Sequence, residues 1–280
     1  KAACGMSSEA IGHPAPARTF EQAPSGLRVS LRVIGALVRR ALNEITRVPG
    51  AALPGVLAPT IFLVGLSGVF GEAARLPGFE ATDFRTFIVP VGLLQGAAFT
   101  GAATGVNLAR DIERGWFDRL MVCPAPRTTI LLGIVASAAL RALLPATFLL
   151  AVAFALGVDF PGVGALALDA VLVMGLATAI AFYAIMVALR FKTQQAAPLM
   201  QTIGFIAVLF TTAYAPMDLL AGWMRAIATI NPVTQVLEGV RQGFVANVTW
   251  AETWPALAAV AGLLFVLGAL AVRMLGRVGV

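Results

Sequence analysis

From Leu27 onward apolar residues recur every three or four positions: Leu27, Leu31, Ile34, Val38, Ala41, Ile45 and Val48. Arg28, Arg32, Arg39, Asn43 and Arg47 fall on the opposite side. This spacing predicts an amphipathic helix over 27–49 with a basic face, ended by Pro49-Gly50. Such a helix just ahead of a membrane span is expected to lie in the headgroup plane with its arginines near lipid phosphates. The alternative is a helix packed on a partner protein. Beyond Gly50 the alternation gives way to charge-free runs at 48–71, 86–109, 170–189, 193–217 and 253–272. About 20 apolar residues cross a hydrocarbon core roughly 30 Å thick, so each run is long enough to span. The stretch 128–158 is broken only by Arg141, and counts as a span because its halves are too short alone. The reading is an all-α polytopic membrane protein with six transmembrane helices, at about 51–70, 86–109, 130–156, 163–189, 196–215 and 255–275. Transmembrane β-barrels alternate polar and apolar residues in segments of about ten, which these continuous runs do not.

Residues 7–26 are small, polar and Pro-containing, so 1–26 is expected to be a disordered cytoplasmic tail; Met6 is read as the start of the native tail. With some fifty residues before it and no small-x-small site after it, the first apolar run is not expected to be a cleaved signal peptide. The second span carries Gly92 and Gly96, then Gly101 and Gly105. Small residues four apart let helices approach closely in lipid, although Ala- and Gly-rich helices also carry such pairs by chance. The short "GVDFPG" loop pairs spans three and four as a hairpin. Segment 216–252 is too apolar for a solvated loop and too interrupted to cross. It is expected to form two short amphipathic helices broken at Asn231-Pro232, re-entrant or lying in the outer leaflet, with irregular backbone covered by protein or a water-filled cavity. Asn247-Val-Thr249 is a glycosylation sequon on that side.

Composition agrees: 59% of the residues are hydrophobic and 12% charged, more apolar surface than a soluble domain of 280 residues buries. With the amino terminus inside, fifteen Lys and Arg flank the spans on the inner side, and only Arg75, Arg85, Arg225 and Arg241 on the outer. The positive-inside rule then places both termini in the cytoplasm of a cell that holds this protein in its inner (plasma) membrane. The net charge of +6 is a topology signal and implies no nucleic acid. Cys4 and Cys123 lie on the reducing side outside any Cys/His cluster, and the single His13 sits in the tail, so neither disulfide nor metal is implied. The two lysines, Lys1 and Lys192, do not follow a glycine, which rules out a phosphate-binding loop ending in Gly-Lys-Ser/Thr. No cofactor is expected in this chain. An intramembrane enzyme would have one histidine and few polar groups in its spans to work with. An ion-coupled secondary transporter would have Asp169 and Arg141 as its only intramembrane charges.

Against this apolar background, six of the ten residues from Arg110 to Arg119 are charged. "ARDIERGWFDRLMVCPAPRTTILLG" resembles the cytoplasmic loop of the membrane subunits of type 2 ATP-binding-cassette exporters: an acidic-basic pair, a glycine, an acid-Arg pair, an apolar pair and a Pro-containing turn before the next helix. "INPVTQVLEGVRQGF" is similar to the Asn-Pro segment after the fifth span of that family. The helix before the first span and the six-span count fit as well. The resemblance covers nearly the whole chain after residue 27, daunorubicin-resistance-type permeases most of all. It implies a permease subunit without its own ATPase site, coupled to a separate ATP-binding subunit, two copies expected, that would hold ATP and Mg. It also implies a second permease subunit, identical or different, and export of amphipathic drugs, lipids or glycans. The spans, rich in Phe, Leu, Val and Ala, favour a hydrophobic drug or lipid. On this reading residues 110–126 dock on the ATPase, with Trp116, Phe117, Leu120, Met121 and Val122 as apolar anchors and Asp111, Glu113, Arg114, Asp118 and Arg119 setting orientation. The alternative is a solvated loop that merely obeys the positive-inside rule. Asn231, Pro232, Glu238 and Arg241 are expected in an outer gate segment.

An arginine deep in the bilayer costs from a few to more than ten kcal/mol unless it snorkels or finds a partner. Counted from the ends of a 30 Å core, Arg141 and Asp169 fall at similar depth on neighbouring helices. They are therefore expected to form an intramembrane charge pair. The alternatives are that the third helix projects below the membrane, leaving Arg141 at the headgroups, or that Arg141 lines a substrate path.

Overall fold

A computed structural model describes residues 27–47, 53–71, 83–122 and 126–277. The expected tail with Cys4 and His13, and also Arg75 and Cys123, lie outside the described residues. The regular elements of the described residues are all helices, without a strand among them: α1 (Leu27–Arg47), α2 (Leu53–Phe70), α3 (Phe84–Glu113), α4 (Trp116–Met121), α5 (Arg127–Ala155), α6 (Val163–Phe191), α7 (Ala197–Leu209), α8 (Gly222–Ile230), α9 (Pro232–Val245) and α10 (Trp250–Arg277). Four of them, α3, α5, α6 and α10, are long and apolar enough to cross a membrane.

The two remaining expected spans differ from these four. The first is the 18-residue α2. The fifth, expected over 196–215, is the 13-residue α7, which at 1.5 Å per residue reaches only about 20 Å. Its helix stops at Leu209, with the Phe210 N–H still bonded to the Ile206 carbonyl, and residues 211–216 run on outside any helix although Thr211, Thr212 and Ala213 are buried. Side chains from elsewhere take up the freed carbonyls, as described below, so the chain can leave the helix without stranding polar backbone in the interior.

α3 is the central element. It touches α2, α5, α6, α7 and α9, and 78% of its apolar window is buried against 17% for α10. The glycines explain the difference. A Cβ on Gly105 would sit 2.5 Å from both the Cβ and the carbonyl oxygen of Ala184, and one on Gly101 2.5 Å from the carbonyl oxygen of Ala177. The α3 and α6 backbones thus meet directly. Gly92 and Gly96 face another way, toward Leu149 and Pro145 of α5 and Gly55 of α2. The two glycine pairs open two seams on one helix.

α1 forms as an amphipathic helix and packs on its own chain. It runs along α5, with Ser30 beside Thr129 and Ile34 and Leu37 over Gly133, where an added Cβ would sit 2.6 Å from a Leu37 methyl. Leu31 and Leu42 remain exposed.

The expected Arg141–Asp169 pair is not formed. Arg141 donates to the Ser137 carbonyl and to Thr104 Oγ1 of α3 at 2.6 Å, and neither carboxylate oxygen of Asp169 has a hydrogen-bond partner among the described residues. Hairpin register is the reason. α5 has 29 residues, about 43 Å, so its ends do not coincide with a 30 Å core. From the α5–α6 turn Arg141 lies about 21 Å down α5 and Asp169 about 9 Å down α6, a mismatch of about 12 Å.

Two expectations follow. Gly105→Ala and Gly101→Ala should each lower stability in detergent by about 1–3 kcal/mol, the usual cost of overpacking. Gly92→Ala should cost less because a Leu149 methyl can move away, and Gly68→Ala nothing, since no atom lies within 4 Å of its missing Cβ; thermal unfolding of the four variants checks the order. In a double-mutant cycle on folded yield, the effects of Arg141→Ala and Asp169→Ala should add within about 0.5 kcal/mol, as for residues without contact. Partial recovery in the double variant would restore the pair.

Candidate functional site

The charged segment is built on the far end of α3. After Glu113 the chain turns at Gly115, which has φ +67° and ψ 12°. Any other residue pays roughly 1–2 kcal/mol in this left-handed conformation, and no neighbour crowds the position. α4 then leaves in a new direction for its six residues.

Both sides of this elbow are held. Arg40 of α1 forms a two-pronged ion pair with Asp111, at 2.8 and 3.0 Å. Its guanidinium also lies 3.7 Å above the centre of the Trp116 ring, a cation–π contact. One helical turn further along α1, Glu44 accepts from Arg110 at 3.1 Å. Arg40 and Glu44 thus face Asp111 and Arg110 in complementary order. On the other side Glu113 accepts from Thr193 Oγ1 at 2.8 Å, from the Gln194 backbone at 2.9 Å and from the Gln194 side chain at 2.6 Å. These residues form the short turn that feeds α7.

The division of labour within the segment therefore differs from the expectation. Asp111, Glu113 and Trp116 bind other helices of the same chain. Phe117, expected as an apolar anchor for a partner, is 3% exposed and belongs to the core: the αL turn at Gly115 rotates the first turn of α4 inward. Arg114, Asp118, Arg119 and Val122 are exposed, Val122 at 85%, while Leu120 and Met121 are half-buried. Arg40, Glu44, Thr193 and Gln194 were not singled out from the sequence. The i,i+4 Arg40/Glu44 pair was visible, but nothing in one sequence shows which distant charges it meets.

At the opposite end of the bundle, segment 216–252 folds as two short amphipathic helices broken at Asn231-Pro232. Asn231 joins three pieces. Its side-chain oxygen caps α9 by accepting from Val233 N–H, and its amide donates to the carbonyls of Ala207 and Phe210 at 2.7 and 2.9 Å. Pro232 takes the first helical position of α9, where a missing N–H costs nothing. α9 dips against α3, α6 and α10; a Cβ on Gly239 would meet Ala256, and one on Gly243 would meet Ala165. Arg241, 7% exposed, binds Glu238 at 2.8 Å and the Thr212 carbonyl at 2.7 Å, and lies 3.9 Å over the Phe87 ring. Glu238 also accepts from Thr212. Beside this cluster is a cavity of about 460 Å³ bordered by Phe87, Met217, Glu238, Arg241, Gln242 and Val245. Thr212 and Phe87 carried no sequence signal for this role.

The comparisons with known proteins agree with this architecture. The profile of the ABC-2 type transporter family matches residues 32–245, which takes in most of α1, the elbow and the Asn231-Pro232 segment. The chain is 27% identical over 217 residues to the transport permease ycf38 of Cyanophora paradoxa, covering 73% of this chain and 71% of that protein. It is 26% identical over 211 residues to DrrC of Mycobacterium tuberculosis, a permease named for doxorubicin resistance, covering 73% and 72%. To the daunorubicin resistance permease DrrB1 of Streptomyces coeruleorubidus it is 25% identical over 239 residues, covering 84% and 83%. The permease domain of this family lacks an ATPase site, binds no cofactor as a rule and generally pairs with an ATP-binding subunit. The chain belongs to the ABC-2 type transporter family and is a multi-pass membrane permease subunit.

Proposed function

We propose that the chain forms half of the translocation path of an ATP-driven exporter for hydrophobic or amphipathic drugs or lipids, and that residues 110–126 couple it to a separate ATPase. The observation that carries this is the braced elbow. α3 is clamped to α1 through Arg40–Asp111 and Arg110–Glu44, and to the root of α7 through Glu113. α4 meanwhile presents Asp118, Arg119 and Val122 outward. A solvated loop would need no such clamps, since exposed ion pairs alone contribute little. A docking helix must pass force to the spans, and a brace on each side does so. Both termini then face the cytoplasm with the elbow, a second permease subunit completes the path, and Asn231, Pro232, Glu238 and Arg241 belong to the gate at the far side. The cavity beside Arg241, with aromatic, aliphatic and charged walls, suits a cargo that is itself amphipathic. The relatives named for daunorubicin and doxorubicin resistance support the drug reading.

Purified alone, the chain should hydrolyse no ATP; turnover by a preparation free of contaminating ATPase would overturn the proposal. Docking and coupling should separate by mutation. The triple change Asp118→Ala, Arg119→Ala, Leu120→Ala should leave membrane insertion intact and abolish co-purification with the ATPase. Arg40→Ala should keep the ATPase bound and lower substrate moved per ATP hydrolysed about fivefold, the effect of losing about 1 kcal/mol from a partly exposed pair. Normal export by the triple variant returns the segment to a solvated loop.

A further inference from the structure

Arg141 lies halfway along α5 and is 8% exposed. Its hydrogen-bond partners are neutral: the Ser137 carbonyl and Thr104 Oγ1. No carboxylate among the described residues lies within ion-pair distance of it. A buried cation without a counter-ion is costly to hold, and the protein has placed a space beside it. A cavity of about 50 Å³ lies between α1, α3, α4 and α5, bordered by Arg141, Thr104, Asn107, Ser137, Arg40 and Trp116 among others.

The charges around that space leave one cation over. Glu44 and Asp111 also border it, but Glu44 is taken by Arg110 and Asp111 by Arg40. Arg141 feels Glu44 only at a distance, so the three cations and two carboxylates leave one positive charge over beside the cavity, with hydroxyl and amide groups of Thr104, Ser137 and Asn107 around it. A water needs roughly 10–15 Å³ of such space, so the cavity takes about three to five water-sized groups, the size of a phosphate group with its five heavy atoms. The surroundings identify the source. Leu140 and Leu144, one residue before Arg141 and one turn beyond it, are 43% and 46% exposed. They offer an apolar track for acyl chains next to the cation.

We infer that the pocket between α1, α3 and α5 binds the phosphate group of an anionic membrane phospholipid, with Arg141 as its counter-charge and the acyl chains along Leu140 and Leu144. The bound lipid neutralises Arg141 and fills the gap between α1 and the elbow, so it also holds the helix that carries Arg40 and Glu44. This site lies at the opposite end of the bundle from the cavity beside Arg241, and its occupancy does not depend on which cargo is exported.

The test uses the full chain in neutral detergent, titrated with short-chain phosphatidylglycerol, short-chain phosphatidylcholine or inorganic phosphate while the unfolding midpoint is followed. Phosphatidylglycerol should raise the midpoint saturably, and phosphatidylcholine and inorganic phosphate should act at least about tenfold more weakly, as expected when a charge-assisted contact is lost or its apolar anchor is absent. Arg141→Gln should weaken the phosphatidylglycerol response by a similar factor, and Arg141→Lys should retain part of it. Ala41→Phe serves as a second variant that leaves the Arg141 hydrogen bonds in place: Ala41 borders the cavity, and a ring there fills the space with Arg141 and Thr104 untouched. An equal response to inorganic phosphate makes the ligand a free anion and removes the lipid. A phosphatidylglycerol response that survives in both Arg141→Gln and Ala41→Phe places the lipid elsewhere, and no response in the unaltered chain leaves the cavity to water; either result overturns the site.

Discussion

The direct contact of the α3 and α6 backbones is the constraint on which the rest of this molecule depends. In lipid, apolar side chains gain nothing by leaving hydrocarbon for one another's company, so helix association rests on close packing. Gly101 and Gly105 supply it by leaving no Cβ between α3 and the carbonyls of Ala177 and Ala184. With α6 drawn in on one side, Gly92 and Gly96 admit Leu149, Pro145 and Gly55 on another. α3 becomes the buried axis, and its two ends become the two places where polar chemistry gathers: Phe87 under Arg241 at one, Asp111 to Glu113 at the other.

A second constraint shapes the end near Arg241. A chain that leaves helical conformation inside the membrane must satisfy its carbonyls from elsewhere. α7 ends early at Leu209, and the Ala207 and Phe210 carbonyls are met by Asn231, the Thr212 carbonyl by Arg241. The Asn-Pro dipeptide is therefore a structural joint: one side chain ends α7, starts α9 and fixes their separation. Arg241 is held by an acid, a carbonyl and an aromatic face together. That set of partners makes a buried cation tolerable.

Much of this was legible in the sequence, for physical reasons. Charge-free runs mark α3, α5, α6 and α10 because hydrocarbon thickness sets their minimum length, and the 3–4 spacing of α1 and the break at Asn231-Pro232 are local properties. Glycine pairs announced close approach on α3 but could not name α6 as the partner. What stayed hidden was pairing between distant residues. Arg40 with Asp111, Glu113 with Gln194, and Thr212 with Arg241 depend on how helices are set beside one another. The Arg141–Asp169 expectation failed on that point. It took both depths from an assumed 30 Å slab, whereas helices of 29 residues overrun the slab and shift the register. Phe117 misled for a related reason: composition shows an aromatic in a charged segment, but the turn at Gly115 decides that it faces inward.

The two ends of α3 suggest how a push at one could be felt at the other. On the proposed reading, force on α4 enters through an elbow whose hinge, Gly115, is the only position between α3 and α4 in the left-handed region. The clamps to α1 and to the root of α7 lie on the α3 side of that hinge. A load on α4 that exceeds the compliance of the hinge must therefore move α3, α1 and the start of α7 together. α7 ends at the carbonyls held by Asn231, and α3 begins beside Phe87 under Arg241. Both routes converge on α9, one through α7 and Asn231, the other through α3 and the Phe87–Arg241 contact. Bistable packing transmits such displacements better than continuous bending does, and the glycine seams of α3 are where one rigid element can slide on another. The sequence concentrates its charges at the two ends of this axis because those are the positions where helices must be held in one arrangement against another, and neutral packing along the middle leaves them free to change together.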